Sequence, residues 1–154
     1  MNRRTLVGLA TAGVIFGTSS QAFGKRNSGN LSNKVLVLAF YKMALTDFKP
    51  KDAFLRYASP DFVDHAADVS GGTRDDAISA LEGLITKMPT GRWTIVRAAS
   101  EGDLVFLHVR VNPAPGAPEV AIAEIFRVQD HKIVEHWDVV RPAVDKPVNS
   151  HSMF

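Results

Sequence analysis

The chain has 154 residues, with 18 Lys and Arg against 16 Asp and Glu and no cysteine. This length suits one domain after removal of an N-terminal segment, and the lack of cysteine excludes disulfides, thiolate catalysis and thiolate metal sites. Arg3 and Arg4 lie in a predicted export signal without acidic residues, so its removal leaves 16 basic and 16 acidic residues. A nucleic-acid-binding surface is therefore not expected.

The first 24 residues have the pattern of a bacterial export signal. Arg3 and Arg4 precede an apolar run over residues 6–16, and this arginine pair resembles a twin-arginine signal. The run is shorter than the roughly 20 residues that a membrane-spanning helix needs, although an uncleaved anchor or a tail is an open alternative. We expect a periplasmic or secreted protein, not inserted in a membrane after signal removal. A polar linker, 25–30, would precede one domain, 31–154.

Three helices are predicted in the first half of this domain. Ser32 or Asn33 can cap the first helix, which has little polar face and should be well buried. Thr73 and Asp76 form an acidic capping box that opens the third. The helices are predicted at about 34–46, 52–57 and 73–87, with an extended segment at 61–66 that carries Asp64 and His65.

From residue 92 the hydrophobic period changes to that of strands. In the second predicted strand Val105 and Val109 fall on one face and His108 on the other. Helices followed by consecutive strands indicate an α+β fold, in which an antiparallel sheet curls around the helices. The strands are predicted at 93–99, 104–111, 120–129 and 132–141.

The last hairpin carries Glu124, His136 and Asp138 in strands that are otherwise apolar. Its register depends on the turn. A two-residue turn at 130–131 would put His136 opposite Ile125, whereas a three-residue loop with a bulge would put His136 opposite Glu124. We favour the three-residue loop, because it gathers the three ionisable side chains on one face.

Polar groups in a buried strand are costly unless they are paired or functional. One interpretation is a general acid/base pair, in which an apolar cavity raises the pKa of a carboxyl group and a histidine holds or relays the proton. The alternative is a buried hydrogen-bonded pair that only stabilises the sheet. The histidine spacing matches no compact metal motif, and no phosphate loop, dinucleotide fingerprint or nucleophile elbow is found.

Several segments resemble the SnoaL-like polyketide cyclases and, more closely, the SnoaL-like aldol-condensation branch of the nuclear transport factor 2-like superfamily. The most specific are EIFRV followed by KIVEHWDV, and the terminal NSHSMF; the resemblance covers roughly residues 31–154. It implies a cone-shaped α+β barrel, whose curved, mostly antiparallel sheet wraps the N-terminal helices around a deep apolar pocket. It also implies a hydrophobic small-molecule substrate or ligand, a homodimer formed through the open sheet face, and no cofactor or metal.

In the cyclases an aspartate on the last strand takes a proton from the carbon next to a carbonyl, and by position this chain offers Asp138. Relatives often have His-Asn-Pro where this chain has His65-Ala66-Ala67, which puts a role for that asparagine in doubt. We expect His65 and His108 to contact the substrate oxygen. The predicted site residues are Asp138, His136 and His65 as catalytic groups, and Glu124, His108 and Phe126 as substrate-binding groups.

The same superfamily hosts isomerases, dehydratases, epoxide hydrolases and non-catalytic binding domains, so fold does not settle function. The first hypothesis is a cofactor-independent enzyme of the cyclase, isomerase or aldol type, acting on a hydrophobic carbonyl compound. The second is a non-catalytic periplasmic domain that binds a hydrophobic small ligand. The third is an interaction domain that acts only through its dimer face.

Overall fold

A computed structural model of the protein describes residues 32–144 and 146–154, so the predicted export signal and linker lie outside the described residues. No helix in the described part of the chain is long and apolar enough to cross a membrane. The elements, in chain order, are α1 (Asn33–Tyr41), a π-helical turn (Lys42–Thr46), α2 (Pro50–Tyr57), β1 (Ala58–Asp64), α3 (Arg74–Lys87), β2 (Arg92–Glu101), β3 (Leu104–Asn112), β4 (Val120–Gln129) and β5 (Lys132–Pro142).

The strands form one curved, unclosed sheet in the order β1-β5-β4-β3-β2. The last four strands pair antiparallel, and β1 pairs parallel to β5 at the sheet edge. The α+β prediction is confirmed, with one strand more than the four expected. Strand β1 overlaps the segment 61–66, which was predicted only as extended, and begins three residues earlier. Its pairing with β5 satisfies its backbone, and Phe62 is buried in the core.

The starts of α1 and α3 agree with the sequence prediction, whereas α2 begins at Pro50, two residues earlier than predicted. The Ser32 side chain accepts a hydrogen bond from the Val35 backbone at the start of α1. At the start of α3, Thr73 and Asp76 form the predicted capping box. The first helix is predicted as one continuous element, whereas the α-helix ends at Tyr41 and continues as the π-helical turn.

The hydrophobic core lies between the helices and the concave face of the sheet. Val37 of α1 packs there with Val105, Leu107 and Val109 of β3, and all four are almost fully buried. Full burial of an aliphatic side chain stabilises a fold by about 1.5–3 kcal/mol. This layer packs the helices against the sheet, and a cavity lies beside it, lined in part by β1, β5 and α3.

The register of the last hairpin differs from both predicted alternatives. The turn has two residues, Asp130 and His131, both with positive φ, as a tight hairpin turn requires. A bulge then leaves Val134 without a partner, because Arg127 pairs with Glu135 and the next pair towards the turn is Val128 with Ile133. The preferred three-residue loop was therefore wrong.

The bulge decides which face the ionisable residues share. It puts His136 opposite Phe126, and Asp138 opposite Glu124. Since directly opposed residues in an antiparallel pair lie on the same face, Glu124, His136 and Asp138 all face the concave side. An unbulged two-residue turn would have sent His136 to the other face.

Candidate functional site

A cavity of about 410 Å³ lies between the three helices and the concave face of the sheet. Most of its wall is apolar, and its polar side chains are concentrated on β1, β4, β5 and the loop after β1. The lining comprises Phe40, Tyr41, Leu45, Phe54, Phe62, Asp64, Ala66, Asp68, Val69, Ala77, Ala80, Leu81, Leu84, Lys87, Trp93, Ile122, Glu124, Phe126, His136 and Asp138. An apolar space with a few converging polar groups is typical of a small-molecule site.

A chain of hydrogen bonds crosses the polar end of the cavity. The Tyr41 hydroxyl donates to Glu124 Oε1 at 2.9 Å. The other oxygen, Glu124 Oε2, lies 2.7 Å from His136 Nε2, and His136 Nδ1 lies 2.9 Å from Asp64 Oδ1. The side chains of Glu124, Asp64 and His136 are nearly buried, with exposed fractions of 9%, 6% and 14%, respectively.

The two carboxylates keep His136 protonated. Burial alone would lower the pKa of His136, but the hydrogen bonds and charges of Asp64 and Glu124 outweigh burial and raise this pKa to about 10. Burial, followed by the charge of Glu124, raises the pKa of Tyr41 well above its ordinary value. At neutral pH Tyr41 is therefore a neutral donor and His136 an imidazolium that donates through both nitrogens.

Asp138 lies beside this chain but is not bonded into it. It lines the cavity and is opposite Glu124 in the sheet. Burial, and then the negative charge of Glu124, raises the pKa of Asp138, while the positive charge of His136 opposes this rise. The proton affinity of the Asp138 carboxyl group is thus higher than that of an ordinary aspartate, which is the direction that strengthens a general base.

The edge strand β1 brings Asp64 to this site. Asp64 pairs with His136 in the sheet register, and its Oδ1 also accepts from the Ala66 backbone at 3.0 Å. Its own backbone N–H donates to Gly72 O at 2.8 Å. Gly72 has a φ of 66°, and a Cβ there would lie 2.7 Å from the Asp64 carbonyl oxygen, so only glycine permits this close approach.

The structure brings together some of the predicted site residues and not others. Glu124, Phe126, His136 and Asp138 line the cavity, and the Phe126 ring stacks on the His136 ring with centroids 4.8 Å apart. Which of them act in a reaction stays a prediction.

His65 and His108 lie outside the cavity lining, so the predicted contact with a substrate oxygen has no geometric basis there. The His65 ring stacks on Trp137 at 4.6 Å, on the opposite face of β5 from His136. His108 Nδ1 lies 2.9 Å from Arg97 Nη1, and the His108 ring stacks on Phe154. The outward orientation of His65 and His108 follows from alternation, because the side chains of successive residues in an extended chain point to opposite faces.

Three residues of the site were assigned no role from sequence. The sequence places Asp64 on the predicted extended segment without a function, and it predicts no function for Tyr41 or Trp93. The spacing of Asp64 could have identified it as a site residue. It lies two residues after buried Phe62 on the same strand, so both side chains point to the same face of the sheet. Tyr41 gave no such signal, because its partner Glu124 is 83 residues away in the chain.

Within residues 32–144 and 146–154, no group of three or more His, Asp or Glu side chains has the arrangement of a metal site.

Comparison with known proteins gives one family and a consistent fold. The family model of the SnoaL-like domain matches residues 37–136. No curated protein sequence matches the chain. Among solved structures, AclR of Streptomyces galilaeus, a proposed hydroxylase, is 24% identical with a TM-score of 0.59, covering 71% of this chain and 88% of its own.

Two further structures show the same fold. A proposed SnoaL-like polyketide cyclase from Jannaschia sp. CCS1 is 18% identical with a TM-score of 0.62, covering 76% of this chain and 91% of its own. A nuclear transport factor 2-like protein of unknown function from Cytophaga hutchinsonii is 14% identical with a TM-score of 0.59, covering 74% and 94%. At these sequence identities the similarity establishes the fold alone, and any chemistry has to be argued from the residues of the site.

Proposed function

Because the chain belongs to the family of SnoaL-like domains, we propose that it is a small-molecule enzyme of the cyclase, isomerase or aldol type. In this proposal Asp138 takes a proton from the carbon next to a carbonyl group of an apolar substrate. The observation that carries the proposal is the position of Asp138, a carboxyl group with a raised pKa on the wall of a largely apolar cavity. No cofactor enters the proposed step.

The proposed step is balanced within the chain's own residues. The Asp138 carboxylate accepts the α-proton, and the electrons of the C–H bond pass into an enolate. In an isomerisation, Asp138 returns the proton to another carbon. In an aldol-type cyclisation, the enolate carbon attacks a second carbonyl of the same molecule, and the new alkoxide takes the proton from Asp138.

The hydrogen-bonded chain beside Asp138 supports this step electrostatically. The imidazolium of His136 is held between Asp64 and Glu124, so its ring is fixed before substrate arrives. Its positive charge favours the ionised form of Asp138 and would also favour negative charge on an enolate nearby. Since both ring nitrogens are engaged, we assign His136 a positioning and electrostatic role and assign proton transfer to Asp138.

The test is hydrogen–deuterium exchange at the α-carbon of apolar ketones, with cyclohexanone and acetophenone as probes and proton NMR as the readout. The native protein should accelerate exchange over buffer. Asp138→Asn removes the base without changing side-chain size, and should lower the exchange rate at least about a hundredfold, as is usual for loss of general base catalysis. The matched control is Asp68→Asn, which neutralises another carboxylate of the cavity lining.

Exchange that survives in Asp138→Asn would contradict the assignment of the base. A loss of exchange in both Asp variants would mean that the charge of the cavity matters, rather than Asp138 itself. Ketone binding without any catalysed exchange, in the native protein, would favour the second hypothesis, a binding domain for a hydrophobic ligand. The apolar wall of the cavity fits a binding domain and an enzyme equally well. The effect of replacing Asp138 on exchange distinguishes the two functions.

A homodimer through the convex sheet face is part of the proposal. Phe106, Ile125 and Trp137 are directly paired across β3, β4 and β5, which makes a row of large apolar side chains on that face. Val139, on the same face of β5, is 65% exposed. Phe106→Arg should convert a dimer to a monomer in sedimentation experiments. Val35→Arg, at an exposed apolar residue of α1, is the control that should not.

Export from the cytoplasm is also proposed, on the sequence of the first 24 residues. Replacing Arg3 and Arg4 by lysine should retain the full chain in the cytoplasmic fraction if the twin-arginine route carries it. Unchanged export of this variant would favour the general secretory route, and cytoplasmic location of the native chain would contradict export.

A further inference from the structure

A second space lies behind the cavity and shares a wall with it. This outer groove, of about 490 Å³, is formed by the end of the π-helical turn and by the connection from α3 to β2. Among the described residues, only Leu45 and Trp93 line both the cavity and the groove. These two side chains therefore form the wall that the two spaces share, and the indole is the larger of them.

Several contacts hold the Trp93 ring in this wall. Trp93 is buried, and the Phe48 ring meets it edge to face, with centroids 6.1 Å apart. Phe48 has a φ of 54°, an uncommon conformation for a bulky residue, so the backbone bears strain where Phe48 covers the indole. A Cβ at Gly91 would lie 2.9 Å from the indole ring, so the ring occupies space that a side chain would need.

We infer that Trp93 is the specificity-determining residue of the cavity, the wall that limits the length of the molecule that can lie with its carbonyl group at Asp138. This inference deepens the proposed function and rests on it for the entry of an apolar carbonyl compound. The substrate class is thereby narrowed to compact molecules that fit the cavity. Long-chain compounds that would need to continue into the groove are excluded.

The affinity of ligands of increasing length gives a measurable signature of this wall. Each additional methylene that a ligand buries raises its affinity about fourfold. For a homologous series the affinity should rise with length until the cavity is full, and then stop rising where the chain meets the indole. Removal of the indole joins cavity and groove, so the rise should continue to longer members of the series.

The experiment measures dissociation constants by calorimetry for straight-chain 2-alkanones of increasing length, with the native protein and with Trp93→Ala. The expected result is a plateau in the native protein and a plateau several methylenes later in the variant. The same plateau in both proteins, or no plateau in the native protein, would overturn the inference. Trp93→Phe, a smaller change that keeps an aromatic ring, should show a shift of the same sign and less extent if Trp93→Ala does not fold.

The control is Leu84→Ala. Leu84 lines the cavity but not the groove, so this change enlarges the cavity at α3 without joining it to the groove. It should move the plateau by less than Trp93→Ala; an equal shift would show that volume, rather than the wall, sets the limit. The length series reads binding and does not depend on Asp138. If Trp93→Ala shifts the plateau but α-proton exchange survives in Asp138→Asn, only the proposed reaction is overturned. If Trp93→Ala leaves the plateau unshifted but Asp138→Asn loses exchange, only the role of Trp93 is overturned.

Discussion

His136 lies between two carboxylates, with Nδ1 2.9 Å from Asp64 Oδ1 and Nε2 2.7 Å from Glu124 Oε2. These contacts join three strands, because Asp64 is on β1, Glu124 on β4 and His136 on β5. The edge strand β1 is thus tied to the sheet by side chains as well as by its backbone. The proton that makes His136 an imidazolium consequently affects both the stability of the fold and the charge of the site.

The first prediction concerns stability against pH. The pKa of His136 is raised from 6.5 to about 10 on folding, so the folded state holds this proton more tightly than the unfolded state. The contribution is fully present below about pH 6.5, declines as pH rises, and is lost above about pH 10. Urea unfolding between these values should show a falling free energy of unfolding.

Replacement of His136 by leucine tests the origin of this pH dependence. The variant should lose the His136 contribution to the slope, and should be destabilised at neutral pH by about 3–5 kcal/mol, because two nearly buried carboxylates lose their partner. His151→Ala, at an exposed histidine of the C-terminal tail, should change neither. A native slope that persists in His136→Leu would assign the pH dependence to other groups.

The second prediction concerns the hydroxyl of Tyr41. Tyr41→Phe removes the donor to Glu124 Oε1 and leaves a buried carboxylate oxygen without that bond, which should cost about 1.5–3 kcal/mol. The measurement is urea unfolding at neutral pH. The chain's other tyrosine supplies the control: Tyr57 is only half-buried, and Tyr57→Phe should stay within about 0.5 kcal/mol of the native protein. Equal effects of the two changes would contradict the role assigned to the Tyr41 bond.

Much of the fold could be predicted from the sequence because its signals are local. The capping box of Thr73 and Asp76 and the alternation of Val105 with its neighbours lie within a few residues, and both are confirmed. The partnership of β1 with β5 could not be predicted in this way. It joins Asp64 to His136 across 72 residues, and no local pattern distinguishes an edge strand from an extended loop.

The candidate site shows the same limit at finer scale. The predicted gathering of Glu124 and His136 on one face is correct, while the register used to justify it was wrong. A bulge at Val134, rather than a longer turn, reverses the alternation. A β-bulge is a single unpaired residue in a regular strand, and nothing in KIVEHW identifies it without the packing of Ile133 and the ion pair of Arg127 with Glu135.

The third prediction concerns the pH dependence of the proposed reaction. Asp138 acts as a base only when ionised, and burial followed by the charge of Glu124 raises its pKa above the ordinary value of 3.8. The α-proton exchange rate should therefore rise with pH through an inflection above 3.8 and then level off. An inflection at the ordinary value, or a rate independent of pH, would contradict Asp138 as the base in this environment.

The fourth prediction is that Asp138→Asn stabilises the fold while it removes activity. Because the pKa of Asp138 is raised on folding, ionisation of this group disfavours the folded state. Stability falls as pH rises from 3.8 through the folded pKa and stays lower above it. The asparagine variant should be more stable at neutral pH, by less than about 1 kcal/mol since solvent screens a partly exposed group. This difference should vanish below about pH 3.8 in urea unfolding. The control is Asp61→Asn, at an exposed position of β1, which should give no such pH-dependent gain. Destabilisation of Asp138→Asn at neutral pH would contradict the prediction, because it would show that the ionised carboxylate stabilises the fold.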